Sequence, residues 1–223
     1  MSYEEILLLP LYSDLFPPLL KEIQDCPKQL YVRGNVNLLS HPNLLAVVGS
    51  RKAHVHSKEA LDILLPPVIK AGAVIVSGLA YGVDALAHQT CVEAHSPTIA
   101  VLGGGIDDAT IYPAAHRTLA IEILEAGGAL VSEYPAGTGV QKYSFPRRNR
   151  IVAGLCRATL VVQAALKSGS LITARLALEY NREVLAIPGH VTDPYSAGTN
   201  YLIHEGATPV ISSQDLLDIL KLG

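Results

Sequence analysis

From Tyr134 to Leu178 the chain has no aspartate and no glutamate, although the whole protein carries 20 acids against 17 Lys and Arg and a formal net charge of −3. The same stretch holds seven basic residues: Lys142, Arg147, Arg148, Arg150, Arg157, Lys167 and Arg175. Nothing within it repels a phosphate, so it reads as a local polyanion field and not as the overflow of a basic protein. Other scarcities exclude whole classes. The three cysteines, Cys26, Cys91 and Cys156, form no CxxC pair, which argues against a disulfide framework or a cysteine-built zinc site. The apolar runs are broken well before the ~18 residues a membrane span needs, and no membrane partner is expected. Met1 is followed by Glu4 and Glu5 without a basic leader, so a cytoplasmic protein is expected. His54 and His56 sit close, yet the sequence offers no third metal ligand beside them.

What is present is a regular alternation. After Asn43, short apolar runs (LLAVVGS, AVIVSG, TIAVLGG, ALVSE, TLVVQA, EVLAIPG and TPVIS) alternate with segments of helical period. Strands apolar on both faces and separated by helices predict an α/β fold, a doubly wound, mostly parallel sheet with helices on both faces. Residues 1–42 form a lead of different texture, with a short helical pattern near Leu15 to Gln24 and a strand at LYVRG, ahead of a main domain over residues 43–223. Pro66 and Pro67 fall inside the first crossover helix and predict a break or kink near Leu65.

Ligands of such sheets bind beyond the carboxyl ends of the strands. The segments there are GSR (Gly49 to Arg51), SGLAYGVD, GGG, SEYPAG, KSGS (Lys167 to Ser170) and PGH. Glycine beside a hydroxyl or a cation suits anion binding, since helix N-termini offer free N–H groups. No GxxxxGK[ST], HExxH or GxSxG is present, and no GxGxxG opens a helix after the first strand, so no cofactor is expected. Asp84 and His88 lie four apart, either as an acid/base pair or as a helix cap with a packed imidazole beside it. Glu133 follows a strand without a role that the sequence decides. FPRRNR places Phe145 among arginines, where a base can stack on the ring while cations take phosphates. The alternative is a helix-start staple with the arginines on a solvated face. Arg148 pairs with Phe145 at i and i+3, whereas Arg150 lies on another side and can be structural.

GSR, SGLAYGVDALAH, GGG followed by IYP, SEYPAG, FPRRNRIVAGL, VVQAALKSGSLITA, AIPG and GTNYLIHEGA, in that order, strongly resemble the DNA-processing protein A (Smf) family. The resemblance implies an extended Rossmann domain that binds single-stranded DNA, dimerises, protects incoming strands in natural transformation and helps load a RecA-type recombinase. It implies DNA contacts at Arg51, Lys142, Phe145, Arg148, Lys167, Ser168, Gly169 and Ser170, to which the basic stretch adds Arg147 and Arg150. The family dimer surface corresponds roughly to Leu202 through Ile211. Gln163 stands where many family members carry Glu, and the given sequence stops at Gly223, short of the winged-helix-like domain that many relatives place after the core, as expected either of a fragment or of a minimal protein. The rival expectation is a nucleotide-hydrolysing enzyme similar to the lysine-decarboxylase-like phosphoribohydrolases; the closest glycine loop, PGHVTD, lacks that family's second Gly and its Glu.

Overall fold

The computed structural model describes residues 5–222; Met1 and Glu4, on which the reading of the leader partly rests, lie outside them. All seven expected strands form: β3 (Leu44–Val48), β4 (Val74–Ser77), β5 (Thr98–Leu102), β6 (Ala129–Ser132), β7 (Ala158–Val161), β8 (Glu183–Ala186) and β9 (Thr208–Pro209). They pair in parallel throughout. The lead adds two more, β1 (Ile6–Pro10) and β2 (Gln29–Gly34). β2 lies antiparallel against β6 and β1 antiparallel against β2. The nine strands run in the order β1-β2-β6-β5-β4-β3-β7-β8-β9.

Alternation along the strands explains why both faces are covered. In β3, Leu44, Ala46 and Val48 face a core shared with α5 (Ser144–Leu155) and α6 (Gly169–Glu179). Leu45 and Val47 face the opposite core, under α2 (Val55–Lys70), α3 (Val83–Glu93) and α8 (Ser213–Leu220). A third cluster sits under α4 (Arg117–Glu125), with Ala100, Leu102 and Leu130 facing it. A strand dressed on both sides has no polar face to show, which is why these runs are continuously apolar. The short helix α1 (Pro18–Lys21) presses Leu20 against Gly154 of α5, where a Cβ would approach Leu20 to 2.8 Å.

α2 runs unbroken through Pro66 and Pro67, so the expected break does not occur. Both prolines are exposed, as are Asp62 and Ile63 one turn earlier, whose carbonyls lose their helical donors to water. Leu61, Leu64, Leu65, Val68 and Ile69 are buried on either side of the pair. Each such side chain contributes about 1.5–3 kcal/mol on burial, enough to offset about 3 kcal/mol per interior proline. Among the described residues no helix is long and apolar enough to cross a membrane.

Candidate nucleic-acid interface

β3 and β7 are neighbours, yet the chain leaves β3 toward β4 on one side and leaves β7 toward β8 on the other. At such a switch point the two outgoing loops part and open a crevice at the carboxyl edge. A cavity of about 360 Å³ lies there, lined from the β3 side by Gly49 and Arg51, from α5 by Phe145 and Arg148, and from α6 by Ser168 to Ser170. The loops reach it by close approach. Gly82, at φ +76°, opens α3 where a Cβ would fall 2.2 Å from the Ser50 carbonyl oxygen.

The ring and the cations are built as a stack. The Arg51 guanidinium carbon lies 4.9 Å from the Phe145 ring centroid, and the Tyr112 ring is 5.8 Å from the same ring. Tyr112, in the IYP segment, is a further neighbour of the site; the signal for it is its place in the connection that follows β5 and the GGG run. Arg148 forms the floor. Its guanidinium passes so close over Gly78 that a Cβ there would sit 1.0 Å from Nη1. Nη1 donates to the Val101 carbonyl at 3.3 Å and lies 3.7 Å from Asp84 Oδ2, while Nε is buried without a partner among the described residues. Asp84 accepts from the N–H groups of Gly78 and Ala80, 3.2 and 3.4 Å away. Burial pushes the Asp84 carboxyl up and the Arg148 guanidinium down, and their mutual attraction opposes both shifts.

Asp84 and His88 form neither arrangement expected of them. Gly82 is the N-cap, and His88 bonds Thr98 instead, Nδ1 to Oγ1 at 2.9 Å. Because the Thr98 hydroxyl donates to the Ile75 carbonyl at 2.7 Å, it accepts from His88, which places the imidazole proton on Nδ1. Burial, with Arg148 and His116 nearby, lowers the His88 pKa from 6.5 to about 3 and keeps the ring neutral.

The third wall is the start of α6. Ser168 caps it, its hydroxyl accepting from the Ser170 N–H at 3.3 Å, and the first turn carries no acid. Gly169 leaves that turn open, since a Cβ there would meet nothing within 4 Å. With the Ser170 and Leu171 N–H groups both taken by Ser168, the helix end offers an anion the Gly169 N–H and the positive end of the helix dipole.

Arg51, Phe145, Arg148, Ser168, Gly169 and Ser170 therefore share one cavity, while four other candidates do not line it. Arg150 is buried against Glu133 Oε2 at 2.6 Å and Asp25 Oδ2 at 3.7 Å, and Nη1 donates to the Asp25 carbonyl. Its placement ties α5 to the lead, because acids remote in sequence reach the acid-free stretch. Arg147 meets the other Glu133 oxygen at 3.4 Å and points away from the crevice. Lys167 borders a separate cleft with Leu178 and Tyr201, and Lys142 is exposed in the loop before α5.

A family model described as DNA recombination-mediator protein A matches residues 8–221. The chain belongs to that family. Protein Smf of Escherichia coli is 44% identical over 216 residues, which are 97% of this chain and 57% of the relative. The X-ray structure of DNA processing protein A from Streptococcus pneumoniae superposes with a TM-score of 0.89 at 40% identity, over 97% of this chain and 75% of that one. A Helicobacter pylori family structure, described for its single-stranded DNA binding mode, superposes at TM-score 0.86 and 33% identity, over 99% and 98%. The chain thus spans little more than half the length of its Escherichia coli relative. In this chain the crevice between β3 and β7 is the place where ring, cations and helix end come together.

Proposed function

We propose that the protein binds single-stranded DNA along the carboxyl edge of the sheet, without catalysing a reaction. The convergence of Phe145, Arg51, Arg148 and the α6 N-terminus on one cavity carries this reading. The ring offers a base a stacking face, the guanidiniums and amides take phosphates, and no side-chain pattern there selects one base over another. Support comes from the Helicobacter pylori relative, described for its single-stranded DNA binding mode. Asp84 also lines the cavity, but its carboxylate is committed to two amides and Arg148, and His88 is fully buried and lines none of it, which supports binding over catalysis.

Anisotropy titration of labelled oligo-dT at several salt concentrations tests it. With about three to five phosphates neutralised, log affinity falls against log salt with a slope of about −2 to −3.5. A flat salt response, or release of free base from nucleoside monophosphates, counts against the reading.

The wider reading follows the family. A second copy would pack on the apolar strip between α6 and α7 (Ala197–His204), where Leu166, Leu178 and Tyr201 are 60%, 69% and 49% exposed, next to the segment Leu202 to Ile211. A monomer at micromolar concentration in sedimentation would overturn that. The bound strand would be handed to a RecA-type recombinase, and an unchanged rate of filament growth on strands covered by single-strand-binding protein would refute the hand-over.

A further inference from the structure

A second cavity, of about 440 Å³, opens on the same edge one strand further along, lined by His54, Ser57, Gln163, Gly189, His190 and Asp193 among others. Gln163 connects it to the first. Its backbone carbonyl accepts from the Ser50 N–H at 2.8 Å, fixing the loop that carries Arg51. Its side-chain Oε1 accepts from the His54 N–H at 3.3 Å and the Ser57 hydroxyl at 2.8 Å. Residues 50–54 are thus pinned at both ends by one residue and run from one cavity to the other.

With Oε1 engaged by two donors, the amide nitrogen of Gln163 must be the opposite end of the group. The residue is 6% exposed and lines the cavity, and no hydrogen bond from Nε2 is found among the described residues. The two amide hydrogens, not sealed off from solvent, are left to whatever occupies the cavity. Beside it α2 begins. His54 caps that 16-residue helix without a side-chain hydrogen bond, and its first turn carries no acid. The free amides and Nε2 therefore form a donor set for an anion.

The surroundings suit a base as well as a phosphate. The His54 and Tyr195 rings lie 4.4 Å apart, tilted by 50°. Val55 and Val191, next in the chain to His54 and His190, are 65% and 87% exposed. Among the described residues Asp193 is the one carboxylate lining the cavity, and it is held by the Tyr195 N–H at 2.9 Å and the Ser196 hydroxyl at 2.8 Å.

The geometry points to a second nucleotide subsite: a single strand lying in the first cavity continues over Arg51 and Lys52, setting its next phosphate on Gln163 Nε2 and the α2 amides and a base against His54 and Tyr195. This rests on the reading of the first cavity as a single-stranded DNA site, and the test separates the two. Gln163→Glu keeps the acceptor for His54 and Ser57 and replaces the donor with a carboxylate. With labelled dT20 the variant should bind about 3- to 10-fold more weakly, with the salt slope shallower by about 0.7, the share of one phosphate. Photocrosslinking of 4-thiothymidine dT20 to wild type should yield adducts on the peptide containing His190 to Tyr195. Unchanged affinity and slope in a folded Gln163→Glu, or adducts confined to the first cavity, would overturn the subsite and leave the first site standing. If wild type binds no dT20, both readings fall. Should Gln163→Glu not fold, His54→Ala removes the ring while keeping its N–H and should weaken dT20 several-fold; unchanged binding overturns the subsite equally.

Discussion

His88 supplies a test of the site's floor that needs no ligand. Its pKa is lowered from 6.5 to about 3 by burial first, then by Arg148 and His116, and Nε2 has no partner among the described residues. In the unfolded chain the ring takes a proton far more readily than in the fold. The group therefore contributes stability that is fully present above pH 6.5 and is lost as pH falls toward the folded value. Between pH 7.5 and pH 5 the loss from this one ring works out at about 2 kcal/mol. Urea unfolding at a series of pH values measures it, with the variant His88→Asn as reference, since Asn can still donate to Thr98 Oγ1 where Nδ1 does. The variant is expected to be less stable at pH 7.5, from the volume it leaves behind, yet to lose about 2 kcal/mol less than wild type on going to pH 5. Identical acid limbs, or an imidazole that titrates near 6.5 by NMR in the folded protein, would refute the burial argument and the neutral ring beneath Arg148.

Gly78→Ala should expel the Arg148 guanidinium and leave Asp84 buried without its partner, costing about 3–5 kcal/mol in chemical denaturation, because a Cβ would sit 1.0 Å from Nη1. Phe145→Ala should weaken oligo-dT binding by about 1–3 kcal/mol, the worth of one stacked base, with the salt slope unchanged. Arg150→Ala, which leaves Glu133 only the longer contact with the exposed Arg147 and unties Asp25, should lower thermal stability while the folded fraction keeps its salt slope. Arg51→Ala should do the reverse: stability within about 1 kcal/mol, slope shallower by about 0.7.

Periodicity made the parallel sheet readable because buried parallel strands are mostly apolar on both faces, as β3 is throughout. The same signal is weak for β1, whose Leu7 and Leu8 are exposed at an edge, and the expected single strand of the lead is in fact the inner member of an antiparallel pair. Helix periodicity separated Arg148 from Arg150 correctly in direction. It could not show that Glu133 and Asp25 would reach Arg150, since pairing across remote segments leaves no local pattern. The acid-free stretch is acid-free only along the chain; Asp84 stands 3.7 Å from Arg148 in space. Pro66 and Pro67 do not break α2, because a propensity rule carries no knowledge of which face the solvent takes.

The placement of β3 also bears on how the protein is made. Its two neighbours come from opposite halves of the chain: β4 follows directly, but β7 arrives only after α5. During synthesis one edge of Leu44–Val48, an uncharged apolar ladder, stays open until Ala158–Val161 leaves the ribosome. Such an edge invites pairing with other nascent chains. A fragment ending before β7 should accumulate as aggregate, whereas the 223-residue chain should be recovered folded.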